Sequence, residues 1–213
     1  MNSVPKIAAT LLAVLVLASC GKSSDEPKSD GSDVSSPSAS ASDSLSAGPS
    51  STAKPSTGKA MAGNGYGYNL PKGWEDITAQ LKQNQQGIDT GGRAKPATPP
   101  FTANMNTLTT PSKVSGEPTQ DDLDALAAQI KGEVKSLAPK IKTSPHITIA
   151  GAPAVHQEGD ANSSGTKFYL VQYFAIYKNT NYGLTFAFPK GASAADREKI
   201  VQPVLASWKW KSP

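Results

Sequence analysis

The chain has 213 residues, and its 21 lysines and arginines against 17 aspartates and glutamates give a formal net charge of +4 at pH 7. A single cysteine excludes a framework of disulfide bonds within the chain and a metal site built from paired cysteines. Because no run of basic residues stands out along the chain, the sequence predicts no nucleic-acid partner.

Residues 7–17 form an apolar run that contains only Ala, Ile, Leu, Val and one Thr. As a helix this run would span roughly 16 Å, about half of a ~30 Å hydrocarbon core, so it is too short to cross a membrane. Lys6 precedes the run and small residues follow it, which is the pattern of a secretory signal peptide.

The single cysteine, Cys20, ends the segment Leu-Ala-Ser-Cys and is followed by Gly21. This segment resembles the lipobox of bacterial lipoproteins. The resemblance implies that residues 1–19 are a signal peptide and that Cys20, the first mature residue, carries a diacylglyceryl group. Since two acyl chains hold a protein stably on a bilayer, we expect a lipid anchor on the extracytoplasmic face of the cell membrane. The alternative is a chance cysteine beside an ordinary cleavage site.

Residues 20–63 consist mainly of Ser, Ala, Pro, Asp, Lys and Gly after the cysteine, with almost no large apolar residues. Such a segment buries too little surface to offset its conformational entropy, so the composition predicts a disordered tether. A tether of this length would have a root-mean-square reach of roughly 35 Å.

Residues 64–213 are expected to fold as one domain. In chain order the patterns predict a strand over 66–70, a helical turn over 77–81, a long loop over 83–100 and a strand over 101–106. They then predict a helix from Thr119 to Pro139, a strand over 147–156 with a break at 151–153, strands over 167–177 and 182–188, and a last helix from Ser193 that contains Pro203. This order predicts an α+β fold, with helices packed on a mostly antiparallel sheet.

The stretch FYLVQYFAIY, residues 168–177, is apolar or aromatic at both odd and even positions. A strand with this pattern is expected to be central and covered on both faces. Tyr169, Tyr173 and Tyr177 share one face. If that face is only partly covered, these three tyrosines would line a groove for an acyl chain or a sugar.

The sequence contains no G-x-S-x-G, H-E-x-x-H, phosphate-loop or calcium-loop motif, so it predicts no enzymatic activity, no cofactor and no metal. An alternative is a metal-dependent or hydrolytic enzyme that uses an N₂O₂ set of His146, His156, Glu158 and Asp160. The simpler interpretation of these four residues is a solvated strand edge.

Four segments in order resemble the actinobacterial lipoproteins of the LpqN/LpqT type: residues 66–74 (YGYNLPKGW), 101–106 (FTANMN), 151–154 (GAPA) and 207–210 (SWKW). The resemblance implies a PsbP-like α/β/α sandwich, with a mostly antiparallel sheet and helices on both faces, and it brings no catalytic residues.

The resemblance also implies a non-enzymatic binding or accessory module of the cell envelope. Its expected partners are the membrane, through diacylglyceryl Cys20, and a lipid, a glycolipid or an envelope protein. A structural spacer with a protein partner is the other alternative.

Overall fold

The computed structural model describes residues 50–98, 101–114 and 116–211, so Cys20 and the predicted signal peptide lie outside the described residues. Within these ranges the elements are β1 (Ala60–Gly63), β2 (Tyr66–Asn69), β3 (Trp74–Asp76), α1 (Thr78–Asn84), β4 (Ile88–Ala94), β5 (Asn104–Pro111), α2 (Gln120–Glu133), β6 (Lys142–Ile149), β7 (Ala152–Ser163), β8 (Thr166–Tyr177), β9 (Thr180–Pro189), α3 (Ala194–Ser207) and β10 (Lys209–Trp210). In this described part, no helix combines the length and hydrophobicity needed to cross a bilayer.

Seven of the described strands form one sheet in the order β3-β4-β5-β9-β8-β7-β6, and every neighbouring pair is antiparallel. A smaller antiparallel sheet has the order β1-β2-β10. Strand β8 lies between the two other longest strands, β7 and β9, as the pattern of apolar residues on both of its faces predicts.

Three two-residue turns join β6 to β9 in succession, and both residues of each turn have positive φ. The φ values are 48° and 86° at Ala150 and Gly151, 49° and 85° at Ser164 and Gly165, and 46° and 58° at Lys178 and Asn179. Positive φ at both positions is typical of the type I′ turn, whose twist matches that of antiparallel strands. Local turn chemistry therefore sets the register of four strands.

Each face of the large sheet has its own hydrophobic core. The first core includes apolar side chains of α2, such as Leu123 and Ile130, packed over Phe168 and Leu170 of β8. The second core lies on the other face and includes Val201 and Val204 of α3 together with the small sheet. The predicted α+β fold, with helices on both faces of a mostly antiparallel sheet, is confirmed.

Helix α2 begins where the sequence predicts. The Thr119 side chain accepts a hydrogen bond from the Asp122 amide, and the Asp122 carboxylate accepts one from the Thr119 amide, which together form a capping box. The helix ends at Glu133, before the predicted end at Pro139. On its inner side, the fully buried Gln157 of β7 donates to the Ala127 carbonyl at 2.7 Å and ties the helix to the sheet.

Helix α3 begins at the predicted cap, Ser193, whose hydroxyl accepts a hydrogen bond from the Asp196 amide at 3.1 Å. Pro203 lies inside the helix, which continues to Ser207. The Pro203 carbonyl accepts a hydrogen bond from the Ser56 amide at 2.9 Å, so the chain ahead of β1 lies against this last part of the helix.

The predicted end of the tether at residue 63 is wrong, because residues 50–63 already belong to the fold. Ser56 is buried, and its hydroxyl donates to the Leu70 carbonyl at 2.6 Å. Met61 is buried in the second core, and β1 pairs with β2. The Ser-rich composition gave no sign of this packing, because the hydrogen bonds are made to residues distant in the sequence.

The predicted loop over residues 83–100 is also wrong, because its middle is strand β4. Gly91 and Gly92 favoured a loop, yet both are needed in the strand for close packing. A Cβ on Gly91 would lie 2.2 Å from the Leu81 side chain, and one on Gly92 would lie 2.5 Å from the Leu70 side chain. These glycines allow one leucine to approach each face of the sheet.

Two other boundaries differ from the predictions. The strand predicted over residues 147–156 with a break at 151–153 is two antiparallel strands, β6 and β7, because the chain reverses at Ala150 and Gly151. The strand predicted over 101–106 begins at Asn104 and continues to Pro111 as β5.

Replacing Trp208 with alanine is expected to lower the free energy of unfolding by about 3–5 kcal/mol. Trp208 is 4% exposed, and its ring stacks at centroid distances of 4.5 Å on Tyr66 and 5.4 Å on Tyr68. Chemical denaturation measures the change, with Trp210→Ala as the control expected to cost less, because Trp210 is only partly buried. An unchanged melting temperature in Trp208→Ala would show that this side chain does not join α3 to the small sheet.

Candidate functional site

A small cavity of about 90 Å³ lies between the sheet and helix α3. Its lining comes from β7, β8 and α3, and consists of His156, Glu158, Val171, Tyr173, Ala194, Arg197, Glu198, Val201 and Gln202. The volume admits a few water molecules or one small polar group, and it is well below the roughly 300–1,000 Å³ of pockets that enclose drug-sized ligands.

The sheet side of the cavity is set by strand pairing. His156 is directly opposite Tyr173, and Glu158 is opposite Val171, so residues two apart on β7 face the cavity together. The His156 ring stacks on the Tyr173 ring with a centroid distance of 4.5 Å and an interplanar angle of 13°. This aromatic pair forms a fixed wall.

The helix side of the cavity carries one cation and one further carboxylate. The guanidinium of Arg197 lies 3.6 Å from the centre of the Tyr169 ring, and its Nη1 donates to the Ala192 carbonyl at 2.7 Å. Glu198 and Gln202 are one helical turn apart and both line the cavity. Arg197 is therefore held in place by the ring and the carbonyl at the edge of the cavity.

The buried position of the His156 ring controls its protonation. Burial lowers the pKa of His156 below its usual value of 6.5, and the nearby charge of Glu158 opposes this shift in part. The Nε2 atom of His156 is buried and has no hydrogen-bond partner among the described residues. A neutral imidazole ring thus lines the cavity, and its unpaired Nε2 atom is buried.

Two tyrosines near the cavity are also shifted toward the neutral phenol. Burial raises the pKa of Tyr173, and the charges of Glu158 and Glu198 raise it further. Burial raises the pKa of Tyr169 as well, and the charge of Glu158 adds to this, while Arg197 lowers it. Both phenols are therefore hydrogen-bond donors at neutral pH.

The described lining can bind a small polar group through proton donors, proton acceptors and one guanidinium. It includes no serine, threonine or cysteine that could act as a nucleophile. Across residues 50–98, 101–114 and 116–211, no group of three or more His, Cys, Asp or Glu side chains could hold a metal ion.

The three tyrosines predicted to line a groove lie on one face of β8 but have different surroundings. Tyr173 is 3% exposed and lines the cavity, and Tyr169 lies under Arg197. Tyr177 is four residues farther along the strand, about 13 Å from Tyr173, and it stacks on Trp210 instead. Their role in ligand binding stays a prediction, and the cavity restricts it to the middle of β8, at Tyr173.

The alternative metal site is not assembled, because its two histidines lie on opposite faces of the sheet. His156 faces α3, whereas His146 faces α2, with its Nδ1 2.9 Å from Gln120 and its Nε2 3.5 Å from Asp124. Asp160 shares the face of His156 but is exposed and does not line the cavity. The four side chains cannot meet at one ion.

Arg197, Glu198 and Gln202 were not predicted as site residues. One feature of the sequence could have indicated them. These three polar residues lie on the helix beside the buried Val201, and so they border its apolar stripe. The sequence did not show which strand this border faces.

No protein-family model matches the chain, and no curated protein matches it. Among solved structures, the solution structure of cyanobacterial PsbP (CyanoP) from Synechocystis superposes with a TM-score of 0.50 at 12% identity, covering 72% of this chain and 92% of that one. The chain has a PsbP-like fold. At this identity the likeness shows the fold alone.

Two further structures are similar at TM-scores below 0.5, which is too weak to carry an argument. LpqN of Mycobacterium tuberculosis, described as involved in cell envelope biogenesis, has a TM-score of 0.46 at 14% identity over 70% of this chain and 85% of that one. A protein of Bacteroides thetaiotaomicron has a TM-score of 0.49 at 15% identity over 73% of this chain, which spans about half (49%) of that one. Membership of the LpqN/LpqT type stays a prediction.

The free energy of unfolding is expected to fall as the pH falls through 6.5. The folded state holds His156 neutral and lowers its pKa, so below 6.5 the unfolded chain binds the proton more readily and is favoured. Urea denaturation at pH 7.5 and at pH 5 measures this difference, which His156→Gln is expected to reduce. His146→Gln is the matched control and keeps the difference. An equal pH dependence in His156→Gln and the parent would contradict the burial of a neutral ring.

Proposed function

We propose that this chain is a lipid-anchored protein of the extracytoplasmic face of the cell membrane. In this proposal its PsbP-like domain is a binding or accessory module of the cell envelope and not an enzyme. The observation that carries the binding role is the cavity beside α3, which is lined by His156, Glu158, Tyr173 and Glu198. The unpaired Nε2 atom of the His156 ring is buried. The anchor is supported by the sequence around Cys20.

The anchor proposal combines three features of the first part of the chain. The apolar run of residues 7–17 is too short to span a bilayer, the only cysteine follows it, and a polar segment comes next. The structure describes the chain from Ser50, so residues 21–49 would connect the membrane to the domain.

The size of the cavity limits the class of ligand. An acyl chain does not fit between α3 and the sheet, because about 90 Å³ is available and the surrounding face of β8 is packed. A small polar group fits better, with Glu158 and Glu198 as acceptors and the Tyr173 hydroxyl as a donor. For a glycolipid, only a polar part of the molecule would enter the cavity.

Replacing Cys20 with alanine is expected to release the protein from membranes, because the thiol that would carry the two acyl chains is removed. Fractionation of cells and partition into a detergent phase measure the change. Ser19→Ala, one residue earlier, is a matched control that leaves the thiol in place. A Cys20→Ala protein that remains in the membrane fraction would contradict the anchor.

Protein purified gently from its native envelope is expected to carry a small polar molecule and no stoichiometric acyl chain. Native mass spectrometry measures the bound mass, and mass spectrometry of organic extracts detects lipids. We expect Glu198→Gln to reduce the occupancy, while Glu133→Gln, at the half-buried last residue of α2 on the other face of the sheet, leaves it unchanged. One bound lipid per chain would contradict the limit that the small cavity sets on the ligand, and an empty cavity would favour an envelope protein as the partner.

A further inference from the structure

A second surface, distinct from the cavity, lies at the end of the sheet where β8 turns into β9. We define it by two aromatic side chains, Tyr177 and Trp210, and three exposed lysines, Lys178, Lys209 and Lys211. We refer to these five residues as the Trp210 surface.

The aromatic part of the Trp210 surface is rigid and only partly covered. Tyr177 and Trp210 stack with a centroid distance of 4.5 Å, and both are partly buried against the second core. Behind them, Trp208 contacts Trp210 edge to face at 5.5 Å. Tyrosine and tryptophan side chains are enriched at the interface between membrane and water.

The lysines give the same surface a positive charge. Lys178 lies 5.4 Å from the centre of the Tyr177 ring, and Lys211 reaches the Gly63 carbonyl at 3.4 Å. Lys209 and Lys211 flank Trp210 in the sequence, and among the described ion pairs none involves these three lysines.

The carboxylate of Asp89 faces the neighbouring turn of the small sheet. It accepts a hydrogen bond from the Asn64 amide at 2.7 Å and lies 3.9 Å from Lys82. Because Lys82 and the Asn64 amide already compensate the negative charge of Asp89, this carboxylate does not cancel the charge of the three lysines. The net charge at the Trp210 surface is therefore positive.

The chain enters the described fold beside this surface. Ser50 forms a parallel bridge with Thr148 of β6, and its hydroxyl is hydrogen-bonded to the Thr148 hydroxyl. The next residue, Ile149, accepts a hydrogen bond from Trp210 Nε1 at 3.1 Å. The segment that would lead back to Cys20 therefore leaves the domain next to Trp210.

We propose that the Trp210 surface docks the domain on the anionic bilayer to which Cys20 is anchored. Tyr177 and Trp210 would lie at the level of the lipid headgroups, and the three lysines would contact anionic lipid phosphates. This inference rests on the proposed anchor, and it adds an orientation: the end of the sheet that carries the β8–β9 turn faces the membrane.

The short connection makes weak docking sufficient. The composition of residues 21–49 predicts a tether, and a flexible chain of this length has a root-mean-square reach of about 30 Å. Such a tether would keep the domain close to the bilayer. Under such tethering the effective concentration of one binding partner near the other is on the order of millimolar. The Trp210 surface could then contact the bilayer for much of the time, even if the domain without its anchor bound vesicles too weakly to detect.

The test uses the chain from Cys20 to Pro213, coupled through its only thiol to a maleimide lipid in vesicles. The vesicles contain phosphatidylcholine with or without phosphatidylglycerol, and brominated acyl chains quench tryptophans that reach the interface. We expect quenching on the anionic vesicles only, and Trp210→Phe is expected to remove it. A triple variant is expected to lower the ratio of docked to undocked domains by about tenfold or more. It combines Lys178→Gln, Lys209→Gln and Lys211→Gln.

The matched control changes three exposed lysines at the opposite end of the sheet, through Lys140→Gln, Lys167→Gln and Lys190→Gln. The proposal requires this control to retain the quenching. Three results would overturn the proposal. They are no quenching at all, equal quenching on vesicles without phosphatidylglycerol, and an equal loss of quenching in both triple variants. Because the maleimide lipid supplies the anchor, these results are independent of whether cells acylate Cys20, which the Cys20→Ala fractionation tests separately.

Discussion

Burial of strand β8 on both faces is the constraint on which the rest of this fold depends. Phe168, Leu170 and Ile176 belong to one core, and Val171 and Ala175 belong to the other. A strand of this kind is stable only if both sides of the sheet are covered. Helix α2 covers one side, and α3 with the small sheet covers the other, so the three-layer arrangement follows from this strand.

The covering of the second face also determines the candidate site. The aromatic side chains Tyr66, Tyr68 and Trp208 fill the space between α3, the small sheet and β8, with Trp208 4.5 Å from Tyr66. The shared Thr90 hydroxyl, 3.0 Å and 3.1 Å from their oxygens, satisfies the two buried tyrosines. At the margin, where polar residues of α3 meet His156, a small cavity remains.

The same packing connects the core to the surface at one end of the domain. From Trp208 the aromatic contacts continue to Trp210 and then to Tyr177 at the turn between β8 and β9. The turn itself places Lys178 and Asn179 at positive φ and exposes the lysine. A rigid aromatic surface surrounded by lysines therefore lies beside the position where the chain enters the fold.

Local patterns in the sequence determined the strongly periodic elements of this protein. The cap at Thr119, the two apolar faces of residues 168–177 and the cap at Ser193 each depend on neighbours within a few positions. They were sufficient for the α+β class and for the order of its last strands and helices. The segment around Cys20 likewise led to the anchor prediction without any structure.

Only the tertiary structure decided what depends on contacts between distant segments. Gly91 and Gly92 appear as loop residues until Leu81 and Leu70 are placed against them, and Ser56 appears as tether until Leu70 accepts its hydrogen bond. His146 and His156 are separated because the turn at Ala150 and the pairing of β6 with β7 put them on opposite faces. The sequence pattern shows which residues of a strand share a face of the sheet. Which helix covers that face is decided only when the helices pack on the sheet.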